Sequence, residues 1–211
     1  MIDQNTVIGL IGLGYVGLPL AVEFGKKFKV VAFDQDQERM SQVSQGVDRT
    51  GQLEKEEIES SQNLVLTDDD KLLAECSVYI VTVPTPVDKD NKPDFSSLEK
   101  ASEMIGKYIN KGDVVIYEST VYPGATREVC IPILESSSNY KFNEDFFCGY
   151  SPERINPGDK VHKLKDIVKV TSGSNPEIAT FVDDLYKSII QAGTYKAESI
   201  EIAEAAKVIE N

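Results

Sequence analysis

The chain predicts an α/β fold, Rossmann-like, on a doubly wound and mainly parallel sheet. Three observations carry that expectation. Apolar, strand-like runs alternate with helix-period segments along the whole chain, the pattern of consecutive βαβ units. The first run, Val7, Ile8, Leu10 and Ile11, passes into Gly12, Gly14 and Gly17 in G-x-G-x-x-G spacing and then into a helical segment, Leu18 to Phe28. The second run, Lys29 to Phe33, ends on Asp34, about 20 residues beyond Gly14, where a dinucleotide fingerprint requires a carboxylate.

Each glycine has a separate task in that fingerprint. Gly12 permits the tight turn out of the strand, Gly14 lets the backbone approach a pyrophosphate, and Gly17 lets the helix pack close to the strand. Leu13, Tyr15 and Val16 stand between these glycines in the same turn. The helix N-terminus supplies unpaired N–H groups and a partial positive charge for the anion. Asp34 accepts hydrogen bonds from ribose hydroxyls and repels a 2′-phosphate, so the expected cofactor is NAD rather than NADP.

The remaining elements follow in order. Gln37 to Gln45 predicts a helix whose early Arg39 either lies over the adenosine end of the cofactor or is a plain surface arginine. Asp48 to Gln62 is polar, with a helical piece over Leu53 to Glu59. Leu64 to Leu66 predicts a third strand and Asp68 to Glu75 a short helix. Val78 to Val83 is a fourth strand running into Pro84, Thr85 and Pro86; the loop after this strand borders the crevice, and Thr85 is held stiffly between prolines. Phe95 to Ile109 predicts a helix capped near Asp94. Val114 to Tyr117 is the fifth strand and places Ser119 and Thr120 on the same carboxyl edge. Ala125 to Ser136 predicts a helix kinked or broken at Pro132. Phe146 to Gly149 is a sixth strand whose exit carries the polar cluster Ser151-Pro152-Glu153-Arg154-Ile155-Asn156-Pro157-Gly158. Ile167 to Thr171, Pro176 to Ser188 and Gly193 to Tyr195 predict strand, helix and strand. Ser199 to Asn211 predicts a helix with no closing cap, as if cut rather than finished; Lys207 and Asn211 lie one turn apart on one face. Together these make a sheet of about six to eight strands.

Composition restricts the function classes. A chain of 211 residues with 41% hydrophobic content is long enough for one large domain with a good core. A net charge of −13 disfavours nucleic acid and anionic membrane as partners. No apolar run approaches the roughly 20 residues of a membrane span. Cys76, Cys130 and Cys148 lack C-x-x-C spacing and sit in or beside apolar stretches, which predicts buried, reduced thiols and a cytoplasmic protein. His162, the only histidine, follows no metal-ligand spacing, and no metal is expected.

With GLGYVGLP, VPTP, STVYPGAT, SPERINPGD and AEAAKVIEN in this order, the chain resembles the N-terminal half of the UDP-glucose/GDP-mannose dehydrogenase family. SPERINPGD most resembles the branch that oxidises C6 of UDP-N-acetylhexosamines (GlcNAc, GalNAc or ManNAc) to the uronate. The resemblance implies two successive NAD-dependent oxidations, alcohol to aldehyde to acid, with a cysteine holding the second stage as a thioester. It places Gly12, Leu13, Gly14, Tyr15, Val16 and Asp34 in the cofactor cradle, Thr85, Ser119 and Thr120 on its nicotinamide side, and Val83 and Pro84 among the cofactor-binding residues. It implies that Thr120 positions a catalytic water, that Glu153 works with it in proton transfer, and that Lys207 with Asn211 steadies developing oxyanion charge. Arg154 and Asn156 are either sugar or cross-domain contacts or structural turn residues.

The chain also departs from the family. The family's cysteine nucleophile, in a Gly-rich loop, has no counterpart, and none of the three cysteines matches it. Pro157 stands where UDP-glucose enzymes carry a second glutamate, which disfavours glucose as substrate. The resemblance therefore implies an NAD-binding domain over 1–196 and the start of a central linker helix over 197–211. The UDP-sugar domain and most of the helix that builds a homodimer are missing, so the chain alone is expected to bind NAD without turnover. A different Rossmann dehydrogenase, such as a hydroxyacid or sugar-phosphate reductase, would explain GLGYVG but not STVYPG with SPERINPG.

Overall fold

The computed structural model describes residues 5–87, 89–90, 92–154 and 164–210. Eight strands form one sheet: β1 (Val7–Ile11), β2 (Lys29–Phe33), β3 (Leu64–Thr67), β4 (Val78–Val81), β5 (Val114–Tyr117), β6 (Phe147–Tyr150), β7 (Lys169–Gly173) and β8 (Thr194–Lys196). Their order is β3-β2-β1-β4-β5-β6-β7-β8, and all neighbours are parallel except β6 and β7. The chain winds outward from β1 to β3, then starts again from β4 on the other side of β1. This reversal opens a crevice at the carboxyl ends of β1 and β4.

The helices are α1 (Gly17–Gly25), α2 (Gln37–Ser44), α3 (Lys55–Glu59), α4 (Ser96–Gly106), α5 (Ile131–Ser138), α6 (Pro176–Lys187) and α7 (Ile200–Glu210). The central strands alternate between two cores. Val78, Ile80, Val114 and Ile116 face α1 and α6 through Leu20, Phe24, Val182 and Leu185. Tyr79, Val81, Val115 and Tyr117 face α4, α5 and α7 through Leu98, Ile105, Leu134 and Ala203. With both faces covered, the strands read as nearly continuous apolar runs, as observed in the sequence.

Several boundaries differ from expectation for local reasons. Helix α1 ends at Gly25, and the amides of Lys27 and Phe28 both return to the Phe24 carbonyl, tightening the last turn before β2. The segment Asp70–Glu75 is a 3₁₀ helix. The expected break at Pro132 falls one turn earlier: Thr126–Cys130 forms a wide π turn, with the Ile131 amide reaching the Thr126 carbonyl. Pro132 has no N–H for the carbonyl four residues back and crowds it, so the preceding turn widens. Strand β7 begins at Lys169, two residues later than expected, after a 3₁₀ turn over Leu164–Asp166.

Candidate functional site

The carboxyl edge of the sheet carries a cleft of about 590 Å³. Gly12, Leu13, Gly14, Tyr15 and Val16 border it from the β1–α1 turn, and Asp34 and Arg39 border it from β2 and α2. Val83, Pro84 and Thr85 follow β4, Ser119 and Thr120 follow β5, and Glu153 follows β6. Five strand ends thus bring together residues spread over 142 positions of sequence, from 12 to 153. Beside it lies a smaller slot of about 220 Å³, walled by Ile11, Phe33, Val83, Pro84, Ala101 and Met104. Asp34, Gln35, Ser97 and Lys100 also line it, and α4 contributes residues that sequence spacing did not single out.

The glycine turn has the geometry that the fingerprint needs. Gly12 has φ +95°, in the left-handed region. A Cβ on Gly17 would lie 1.8 Å from the Gly12 carbonyl oxygen and 2.5 Å from Thr82 Oγ1. Gly17 is therefore a packing residue beneath the cleft. A Cβ on Gly14 would meet nothing within 4 Å, so the space over the turn is open to a ligand. Thr82 Oγ1 donates to the Gly12 carbonyl at 2.7 Å, clamping the turn to β4.

Asp34 sits at the rim with both oxygens engaged: Oδ2 accepts from the Leu13 amide at 2.7 Å and Oδ1 from the Asp36 amide at 2.9 Å. The carboxylate thus ties the glycine turn to β2 while bordering the cleft. Arg39 is not the surface arginine entertained as an alternative. It is 1% exposed, donates from Nε to the Leu13 carbonyl at 2.7 Å, and pairs through Nη2 with Asp48 at 2.7 Å. Its Nη1 has no hydrogen-bond partner among the described residues, although the residue borders the cleft. Burial acts to raise the Asp48 carboxyl, but hydrogen bonds from Thr50 and Arg39 outweigh it and hold the group below the usual carboxylate range. Sequence reasoning missed this partnership, because Asp48 opens a polar stretch in which nothing marks it for burial.

The loops after β4 and β5 are tied together. Thr85 Oγ1 donates to the Thr120 carbonyl and Ser119 Oγ to the Val83 carbonyl, both at 2.6 Å. Both hydroxyl protons are thus committed between the two loops. Thr120 itself is exposed at the cleft.

At the far end stands Glu153, 4% exposed, with its carboxylate 4.0 Å from the Lys169 ammonium. Lys207 Nζ donates to the Glu153 carbonyl at 2.6 Å, so α7 reaches the β6 exit. Buried Glu204, one turn before Lys207, accepts from the Gly124 and Thr126 amides at 2.5 and 2.9 Å and locks α7 to the loop after Thr120. Glu118, fully buried behind Ser119, pairs with Lys169 at 2.5 Å and accepts from the Tyr186 hydroxyl. Burial pushes its carboxyl up, against the pull of Lys169. Tyr15 is also raised, first by burial and then by the negative charge of Glu153.

Arg154 does not border the cleft; its Nη1 donates to the Val168 carbonyl at 2.8 Å, as a turn residue would. Asn156, Pro157, His162 and Asn211 lie outside the described residues. The three cysteines are buried and free, away from the cleft. Burial pushes the Cys76 and Cys130 thiols up to about 12 and Cys148 well above its ordinary value, so none is an activated nucleophile. Among the described residues, no group of three His, Cys, Asp or Glu is placed to hold a metal, and no helix is long and apolar enough to cross a membrane.

The open space over Gly14, the rim carboxylate of Asp34 and the unpartnered Nη1 of Arg39 fit an adenine dinucleotide. Comparison with known proteins agrees. The family model for the UDP-glucose/GDP-mannose dehydrogenase family, NAD binding domain, matches residues 6–190. The chain is 60% identical over 208 residues to a UDP-N-acetyl-D-glucosamine 6-dehydrogenase of Pseudomonas aeruginosa, covering 99% of this chain and 49% of that protein. It is 55% identical to the corresponding enzyme of Salmonella typhi, covering 97% of this chain and 48% of that protein. A solved UDP-D-ManNAc dehydrogenase of Pyrococcus horikoshii superposes with a TM-score of 0.88 at 30% identity, covering 97% of this chain and 50% of that one. The chain thus spans about half the length of the curated relatives it matches.

Proposed function

Because the chain belongs to the UDP-glucose/GDP-mannose dehydrogenase family and is its NAD-binding domain, we propose that it is the cofactor half of a nucleotide-sugar 6-dehydrogenase that converts a UDP-N-acetylhexosamine, foremost UDP-N-acetylglucosamine, to the uronate. The observation that carries this reading is the meeting of the dinucleotide cradle with Thr120, Glu153 and Lys207 in one place. The high identity to two UDP-N-acetyl-D-glucosamine 6-dehydrogenases supports the sugar. Pro157, where UDP-glucose enzymes carry a glutamate, ranks UDP-glucose below the N-acetylhexosamines; UDP-glucose and GDP-mannose are the alternative substrates.

In this reading Asp34 and Arg39 hold the adenosine ribose, the glycine turn cradles the pyrophosphate, and Thr85, Ser119 and Thr120 line the nicotinamide end. NAD held by these residues would supply the hydride acceptor. Glu153 takes the proton released as the sugar hydroxyl is oxidised, through a water held by Thr120. The Lys207 ammonium, with Asn211 one turn on, stabilises alkoxide-like oxygen. Arg154, held by the Val168 carbonyl outside the cofactor cleft, serves the turn after β6. Residues 1–196 form the NAD domain and 197–211 the start of a linker helix. Exposed Ile202, Val208 and Ile209 on α7 suit pairing with a second copy. The three free thiols suit the cytoplasm.

The buried, protonated cysteines favour a second statement, that these 211 residues by themselves bind NAD without completing turnover. The test is a substrate panel of UDP-GlcNAc, UDP-GalNAc, UDP-ManNAc, UDP-glucose and GDP-mannose, run on this chain and on the longer protein that includes downstream sequence. The expected result is two NADH per UDP-GlcNAc from the longer protein and none from this chain. Preference for UDP-glucose or GDP-mannose would overturn the substrate, and turnover by this chain would overturn the need for an outside nucleophile.

A further inference from the structure

Behind the reacting end of the cleft lies a charge cluster that the sequence pattern hid. Lys169 is 3% exposed on β7 and Glu118 1% exposed at the end of β5. The ammonium lies 2.5 Å from Glu118 Oε2, 4.0 Å from Glu153 Oε2 and 3.0 Å from the Pro152 carbonyl. It also stands over the Tyr186 ring, 5.4 Å from its centroid, and the Tyr186 hydroxyl donates to Glu118 Oε1. Two carboxylates therefore share one buried cation. A buried ion pair alone is weak evidence for stability, because desolvation offsets its attraction. Here, however, both carboxylates belong to residues that line the cleft, and Glu118 is also the cation's closer partner.

We propose that Lys169 is a positioning residue for Glu153, holding the carboxylate and its backbone at the mouth of the β6 exit, and that Glu118 sets how strongly Lys169 favours the ionised form of Glu153. The inference deepens the dehydrogenase reading and rests on it for the use made of Glu153 as proton acceptor. Among the described residues, the charged and titratable groups around Glu153 are Tyr15 from the glycine turn, Glu118 just after β5, Lys169 from β7, Tyr186 from α6 and, on its backbone carbonyl, Lys207 from α7. Of these, Lys169 and Glu118 act on Glu153 with opposite sign. Removing the cation disfavours a negative Glu153; removing the neighbouring anion favours it.

The test uses this chain with carboxyl-labelled glutamate and follows the Glu153 resonance through a pH titration in wild type, Glu118→Gln, Lys169→Met and the double variant, with Glu153→Gln for assignment. The expected midpoint falls by at least about one pH unit in Glu118→Gln and rises by at least about one unit in Lys169→Met, with the double variant between them. Loss of packing alone would not produce opposite signs. No movement, or movement in the same direction in both single variants, overturns the inference. Should Lys169→Met not fold, Glu118→Gln decides, since its amide can still bond Tyr186 and Lys169; an unmoved or raised midpoint there is also fatal. The titration needs neither NAD nor turnover. Failure of wild-type NAD binding would overturn the dehydrogenase reading and leave this result standing, and the reverse also holds.

Discussion

Replacing Asp34 by Ala tests the cofactor assignment at the point where one side chain has two jobs. In a bound complex its carboxylate would accept from ribose hydroxyls, and a hydrogen bond to a charged acceptor is worth about 1.5–3 kcal/mol. A loss of about 2–3 kcal/mol corresponds to NAD affinity about 30- to 150-fold weaker. For NADP the sign differs. A carboxylate and a 2′-phosphate about 4 Å apart repel by about 4 kcal/mol per unit charge at an effective dielectric near 20. Removing the carboxylate relieves that repulsion. The wild type should therefore prefer NAD by at least about 100-fold, and Asp34→Ala should bring the two cofactors within about tenfold. Titration calorimetry with both cofactors measures the ratio. The variant also orphans the Leu13 and Asp36 amides, but both lie near the cleft where water can replace the carboxylate. Stability should fall by only about 1 kcal/mol, checked by urea unfolding in parallel. An unchanged ratio of the two affinities would refute the placement of the ribose at Asp34.

Further expectations separate packing from binding around the same cleft. Gly17→Ala puts a methyl 1.8 Å from the Gly12 carbonyl and should destabilise the domain by at least about 3 kcal/mol in thermal melts; Gly14→Ala enters open space and should leave the melting temperature alone while weakening NAD binding at least tenfold. Arg39→Met should cost about 2–4 kcal/mol in urea unfolding, less than a fully abandoned buried charge, because Asp48 keeps bonds from Thr50, Gln52 and Leu53. Since the folded state holds the Asp48 carboxyl below its unfolded value, its contribution is complete above about pH 4 and is lost as pH falls further; Asp48→Asn should flatten acid unfolding below that pH. Ellman's reagent should find less than one reactive thiol in the native chain and all three after denaturation.

The order of strands and helices was readable because it rests on local quantities: apolar runs, helix period, Gly and Pro. Alternation in Val78–Val81 and Val114–Tyr117 was hidden, since both faces are covered and every residue is apolar. Within the site, Asp34 and the glycines were legible because the spacing of a cofactor's ribose and pyrophosphate imposes a spacing on the chain. Thr120 and Glu153 could be placed on a common edge from the positions of strand ends. Lys207 was tied to them only by resemblance. The burial of Arg39 and Lys169 was not readable, because a sequence window contains no sign of a carboxylate 9 or 51 positions away that will pair with them.

By itself, the amino-acid order determined a parallel α/β sheet, an NAD fingerprint and the absence of an exposed, activated thiol pattern. Those follow from backbone sterics, hydrophobic period and fixed short-range spacing. Only the tertiary structure decided the antiparallel turn from β6 to β7, the clamp of Arg39 and Asp48 under the glycine turn, and the shared cation between Glu118 and Glu153. Each of these joins charges or backbone groups from separate strands. Their energy depends on distance and on exclusion of water, and neither quantity exists until the chain has packed.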